Sequence, residues 1–237
     1  MTRVIKKADE RRAEILNAAQ QLFMSRGYDA TTVNDLINDV GISKGAFYHH
    51  FASKDDVLRA LVWSMAERGL AEQEPLFERD DLSPTEKVKM FFTGGQQFKK
   101  ENAPELRALI EVLYREENLR LRLGAAERMI EIITPRLGKV LKEGAELGEF
   151  EIDDPEETAR VILNLGSLLH EAFAVALRLS KAGNPEASLL LRKRADGYER
   201  AIERLLGMPK HSLSVIDSKM IELFLAPPSG SAGRVDP

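Results

Sequence analysis

Apolar residues in the first part of the chain recur at helical spacing. Ile15, Ala19, Leu22 and Phe23 share one face and Gly27 follows as a stop, so a helix is expected over about 10–26. Thr31 and Thr32 offer N-cap hydroxyls to a short second helix that turns Val33, Leu36, Ile37 and Val40 inward, and Gly41 ends it. Ser43 then caps a third helix, Lys44-Gly45-Ala46-Phe47-Tyr48-His49-His50, and Ser53 caps a longer fourth with Val57, Leu58, Leu61 and Met65 on one side. Further helical patterns cover about 83–100, 104–115, 118–147, 156–181 and 186–206, with Pro and Gly between them. No strand-type alternation and no fixed-period repeat occurs in the sequence. The pattern specifies an all-α protein: an N-terminal three-helix domain over 1–54, a larger helical domain over 55–225, and a disordered tail over 226–237 rich in Pro, Gly and Ser.

Composition narrows the class. The 237 residues are 43% hydrophobic, enough for a packed core, and only 6% aromatic. Cysteine is absent, which removes disulfides and Cys-based zinc sites. Charged residues from the start leave no room for the apolar stretch of a signal peptide, and no run nears the roughly 18 apolar residues of a membrane span, so a cytoplasmic protein without a membrane partner is expected. The net charge is −4, but its distribution matters more. Residues 1–54 hold eight Lys or Arg against six Asp or Glu, a surplus of +2, which leaves −6 on the remainder. Such a modest positive end permits a nucleic-acid partner and suits a dimer that reads a specific site.

The second and third helices, joined through Gly41, form a helix-turn-helix. Phe47 and Phe51, four apart, anchor the third helix toward Leu22, Leu36 and Ile37, which leaves Lys44, Gly45, Tyr48 and His49 facing outward. Recognition helices enter the major groove by their N-terminal end. Here Gly45 and Ala46 allow close approach, Lys44 can reach guanine O6 or N7, and Tyr48 can donate to phosphate. Ser43 and the amides at the helix start add phosphate contacts, and Lys54 opens the next helix near the opposite strand.

Thr31-Thr32-Val33, the run from Val40 to Phe51, and Ser53-Lys54-Asp55 together resemble the DNA-binding signature of the TetR family of bacterial regulators. The resemblance covers roughly residues 10–60. It implies a phosphate contact from Thr32, a base contact from Asn34, readout by Lys44, Gly45, Ala46 and His49, and a backbone clamp from Tyr48 and Lys54. Asp35 and Asp39 are acidic where many members are neutral or basic. The implied function is a homodimeric repressor that leaves a palindromic double-stranded operator when a small-molecule effector binds; whether the output is repression or activation is not encoded in these residues.

Two later helices carry stripes of 3.5-residue spacing: Val161, Leu165, Leu168, Ala172 and Val175 on one, Leu191, Ala195, Tyr198, Ile202 and Leu205 on the other. Paired with a second copy they make a four-helix dimer interface; the alternative is packing within one subunit. The helix at 156–181 is also apolar on its reverse side, through Leu163, Gly166, Phe173 and Leu177, with His170 among them. A helix apolar on two faces separates the bundle from a second compartment, read as a cavity for a largely apolar effector. Its candidate lining is Phe91, Phe92, Phe98, Leu109, Leu113, Met129, His170 and Phe173, each with a core role as the alternative. Trp63 fits interdomain packing or a pocket wall equally. An enzyme is disfavoured: the sequence has no GxxxxGK loop, GxSxG elbow or His-Glu-x-x-His, and His49 and His50 are adjacent and diverge around a helix. No metal and no cofactor are expected.

Overall fold

The computed structural model describes residues 8–226, and these form ten α-helices with no strand among the described residues. The tail expected to be disordered lies outside the described residues beyond Ala226. Two compact units divide the chain between Glu67 and Arg68.

The first unit comprises α1 (Ala8–Ser25), α2 (Val33–Val40), α3 (Lys44–His50) and more than half of α4 (Lys54–Phe77). Its core takes Ile15, Ala19, Leu22 and Phe23 from α1, Leu36 and Ile37 from α2, Phe47 and Phe51 from α3 and its end, and Val57, Leu58 and Leu61 from α4. These are the residues that the helical spacing turns inward. The Arg12 guanidinium lies 5.1 Å from the centre of the Phe51 ring and closes one edge of that core. α4 continues through Gly69 to Phe77, beyond the joining helix at about 54–68 that the pattern suggests, and tolerates Pro75 in its last turn.

The second unit holds α5 (Pro84–Glu101), α6 (Ala103–Leu113), α7 (Leu119–Glu146), α8 (Pro155–Lys181), α9 (Glu186–Leu205) and α10 (Ser218–Leu225). α8 is the central helix and packs against α6, α7, α9 and α10. By length and composition it would also pass as a membrane span, but Ala159, Ile162, Leu169, Phe173 and Leu177 are buried in the core of this unit. The sequence pattern gives no element after 206, whereas the structure returns that segment to the core. The buried Glu203 carboxylate accepts from the backbone N–H groups of Ser212 and Leu213, Glu199 accepts from Val215, and α10 then presses Phe224 onto Phe173 with ring centres 4.7 Å apart.

α7 ends in a left-handed glycine turn. Gly148 (φ +74) donates to Ala145 and Glu149 donates to Gly144, which satisfies the last carbonyls and folds Phe150 back onto the helix. A Cβ on Gly144 would lie 2.2 Å from Cδ2 of buried Phe150. Gly144→Ala is therefore expected to cost about 1–3 kcal/mol of overpacking and to lower the melting temperature by several degrees. Calorimetry checks this; an unchanged melting point would mean that the Phe150 ring can turn aside freely.

Candidate nucleic-acid interface

The presenting scaffold is built from caps. Thr32 stands before α2 in extended conformation, and its Oγ1 accepts from Asp35 N at 3.1 Å while the Asp35 carboxylate accepts from Thr32 N at 2.7 Å. The Thr32 hydroxyl donates to the same carboxylate at 2.6 Å. These Thr32 hydrogen bonds, side-chain first and then backbone, hold the Asp35 carboxyl below its ordinary range, with a smaller pull from Arg26. Asp35, read from sequence as an acidic intrusion on the DNA-facing helix, thus closes a capping box. A Thr followed three residues later by an acid is the signal that announces it.

Gly41 adopts φ +68, ψ +39, and Ile42 donates back to the Ile37 carbonyl at 3.1 Å, so the chain reverses within one left-handed residue. Ser43 Oγ then accepts from Ala46 N at 3.2 Å and starts α3. Phe47 is fully buried and Phe51 nearly so, their ring centres 6.1 Å apart. Four apart on one helix, they leave the opposite side open. Ser43, Lys44, Gly45, Tyr48 and His49 are exposed there, Ala46 is half-buried, and Asn34 is exposed on α2. The Tyr48 ring meets Phe47 edge-on at 5.4 Å, which steadies an otherwise exposed phenol, and Lys44 Nζ lies 6.0 Å from the Tyr48 ring centre.

Gly45 is informative because nothing inside the chain requires it. A Cβ there would meet no atom within 4 Å, and its φ is not in the left-handed region. Glycine within a helix costs roughly 0.8–1 kcal/mol relative to alanine. A position that bears this cost without an internal reason suits close approach by an outside surface.

Lys54 is placed differently from its sequence reading as a phosphate clamp. Its ammonium donates to the Tyr28 and Thr31 carbonyls at 2.8 and 2.9 Å and lies 4.1 Å from the Tyr28 ring centre, while Tyr28 donates its hydroxyl to Asp55. The side chain ties the start of α4 to the loop between α1 and α2, leaving one of three N–H donors for anything else. Likewise the Thr32 hydroxyl is committed to Asp35. His49 and His50 pack edge-on at 5.1 Å, and burial, followed by the charges of His49, Arg11 and Arg12, keeps His50 below the usual imidazole range. Among the described residues, no cluster of three or more His, Asp or Glu could hold a metal ion.

Residues 15–61 match the family model described as bacterial regulatory proteins, tetR family. The chain is 27% identical over 160 residues to an uncharacterised HTH-type transcriptional regulator, YfiR, of Bacillus subtilis, a match covering 66% of this chain and 77% of that one. It is 29% identical over 157 residues to the HTH-type transcriptional repressor KstR2 of Mycobacterium tuberculosis, covering 65% and 76%. The N-terminal unit is thus similar to the DNA-binding part of TetR-family regulators. The fold of the chain is that of a TetR-family regulator from Pectobacterium atrosepticum, at a TM-score of 0.61 with 21% identity over 88% of this chain and all of that one. These relatives are transcriptional regulators, not enzymes.

The second unit contains a cavity of about 170 Å³. Of the residues that sequence chemistry proposed for it, Phe91, Phe92 and His170 line it. The others stand elsewhere. Phe98 is buried against Gly69, where a Cβ would come within 3.1 Å of its ring, Phe173 stacks on Phe224, Leu109 is core, and Leu113 and Met129 are half-buried away from the cavity. The lining that sequence reading missed comes from Gln73 on α4, Gly95 and Lys99 on α5, Leu169 on α8, Tyr198 on α9 and Val215; Leu163 and Gly166, read as the reverse face of α8, do line it. No periodic signal marks Gln73 or Lys99, since both are polar positions on helices.

The proposed dimer stripe is corrected in part. Ala172, Leu191, Ala195 and Ile202 are buried inside the single chain, and Tyr198 donates its hydroxyl to the Ile162 carbonyl at 3.0 Å while its ring meets Phe92. The cause is that α9 has one strongly apolar stripe, and α8 with the returning C-terminal segment consumes it. What remains outward is Val161, Leu168 and Leu205, exposed, with Leu165 and Val175 half-buried beside them.

Proposed function

We propose that this chain is a TetR-family regulator, a homodimeric repressor that binds a palindromic operator and leaves it when a small, largely apolar effector enters the second unit. The observation that carries the DNA-reading part is the geometry of α3: a basic and polar tip, without internal use for Gly45, held outward by two buried phenylalanines. In this reading Lys44, Gly45, Ala46, His49 and Asn34 meet base edges, while Ser43 and Tyr48 meet phosphates. Thr32 and Lys54 contribute through backbone amides and the one remaining ammonium N–H, their other polar groups being committed within the head. Repression is favoured by the likeness to a named repressor.

Residues 1–54 then serve as the DNA-binding domain and 55–225 as the effector and dimerisation domain, the two joined through α4. Two copies meet through the outward residues of α8 and α9, Val161, Leu165, Leu168, Val175 and Leu205, and set their α3 helices about 34–36 Å apart on one face of the duplex. The effector acts by differential affinity for two arrangements of α4, with a coupling of roughly 1–3 kcal/mol. A cytoplasmic location follows from that role.

Selection of bound sequences from a random duplex pool tests the reading. The expected product is an inverted repeat with half-site centres about one helical turn apart, and loss of selectivity in Lys44→Ala. Recovery of single, unrepeated sites would refute the dimer, and recovery of no preferred sequence would refute specific readout.

A further inference from the structure

The cavity in the second unit carries an unusual electrostatic feature. The lysines of α5 are buried or half-buried, and two have carboxylate partners: buried Lys87 pairs with Glu143 at 3.2 Å, and half-buried Lys100 pairs with Asp217. Lys99, half-buried in the cavity wall, makes no side-chain hydrogen bond or ion pair to a carboxylate or carbonyl among the described residues. Its surroundings are Phe91, Phe92, Leu163, Leu169 and Tyr198. Burial alone lowers its pKa to about 8, with no anion nearby to offset the cost of carrying charge there. At neutral pH it is still mostly an ammonium ion.

Two further groups in the same wall lack what Lys99 lacks, a counterpart. His170 is held below the ordinary imidazole range by burial and then by the Lys99 charge, so it is neutral at pH 7. His170 as a whole is nonetheless exposed at the surface of the single chain, and the cavity wall and the Lys99 charge set the downward direction of its shift. Gln73 donates its amide N–H to the Gly69 carbonyl at 3.3 Å, but its Oε1 is buried without a donor. The wall thus presents one unpaired cation, one neutral imidazole and one idle acceptor. A buried charge is ordinarily paired.

The cavity is partly open to solvent and its volume suits a small guest. An engineered apolar cavity of about 150 Å³ takes a benzene molecule, and this one holds about 170 Å³. Gly166 helps keep it open, since a Cβ there would lie 3.2 Å from Tyr198 Oη. We propose that the cavity binds the carboxylate of a single-ring aromatic or short-chain acid, with the Lys99 ammonium as its counter-ion and the ring or chain against Phe91, Phe92 and Leu169. This rests on the reading of the cavity as the effector site and names the chemical class of the effector.

Isothermal titration of the full chain with benzoate and hexanoate, against benzyl alcohol and hexanol, tests it at pH 7. The acids are expected to bind at least tenfold more tightly than the matching alcohols. Lys99→Met should remove that preference and Lys99→Arg should keep it, with helicity checked by circular dichroism; Lys99→Gln replaces the methionine variant should that one misfold. Acid and alcohol binding equally, an acid preference that survives loss of the Lys99 charge, or no binding of either acid would each overturn the assignment. Operator affinity is measured separately in the same samples. Lys99-dependent acid binding that leaves operator affinity unchanged would sustain the ligand class and remove the proposed coupling; equal binding of alcohols accompanied by operator release would do the reverse.

Discussion

Phe47→Ala is expected to abolish operator binding by unfolding the N-terminal unit. Phe47 is fully buried, it meets Phe51 and Tyr48 through its ring, and it holds α3 against the rest of the head. Truncating a buried phenylalanine to alanine costs about 3–5 kcal/mol. At about 0.05–0.15 kcal/mol per residue, a unit ending at Glu67 has only some 3–10 kcal/mol in all. The loss therefore consumes much or all of the stability of the head, while the separate core of the second unit keeps its own. Hydrogen exchange should show protection lost over residues 8–67 and retained over 68–226, together with complete loss of a gel-shifted complex. Lys44→Ala makes the contrast: an exposed residue changes stability by less than about 0.5 kcal/mol, yet losing the guanine contact proposed for it would cost about 1–3 kcal/mol of recognition. Operator binding lost in Phe47→Ala with exchange protection intact would mean that the ring is not the prop of α3.

What the sequence makes legible here is what is local. Ser43, Gly41 and the Phe47–Phe51 spacing act within one or two turns, and their positions alone determine where α3 starts, where the chain reverses and which side faces out. The reach of Lys54 to the carbonyls of Tyr28 and Thr31 spans more than twenty residues, and nothing in its own neighbourhood distinguishes a free ammonium from a tied one. Asp35 is legible in principle, since a capping box needs only Thr32 three positions earlier, and its charge is engaged by that box.

In the second unit the same division explains both the residues recovered and those missed. Helical periodicity identifies α5 to α9 within a few residues, because each carries an apolar face several turns long. It identifies α8 as two-faced for the same reason. Periodicity does not say what each face meets: the stripe of Leu191, Ala195 and Ile202 has coiled-coil spacing, yet its partners lie within the chain. α10 spans only Ser218–Leu225, too few turns to establish a period, and it reaches the core through backbone N–H groups gathered by Glu199 and Glu203. Cavity walls are harder still, because Phe91 and Phe98 are chemically alike and only the third dimension separates a wall from a core.

Leu168→Glu is expected to convert the dimer to monomers and, with that, to weaken operator binding by about 100-fold to 10,000-fold. Leu168 is 55% exposed in the single chain, so its replacement leaves the core of the protomer intact, in contrast to Leu191, which is fully buried. In the proposed two-fold interface the insult is doubled: residue 168 of each copy would enter the same apolar patch, and two carboxylates would then lose water without a partner. The monomer retains one folded head and one half-site contact, but loses the effective concentration that delivers the second. Sedimentation equilibrium should therefore give the mass of a single 26.5 kDa chain, with the melting transition of the head unchanged. A variant that stays dimeric would exclude this face of α8 as the interface and direct the search to other exposed apolar residues, Leu119 and Leu123 at the start of α7 among them. A monomer that binds the inverted repeat as tightly as the parent would show that one head suffices, and the symmetric operator would lose its physical basis.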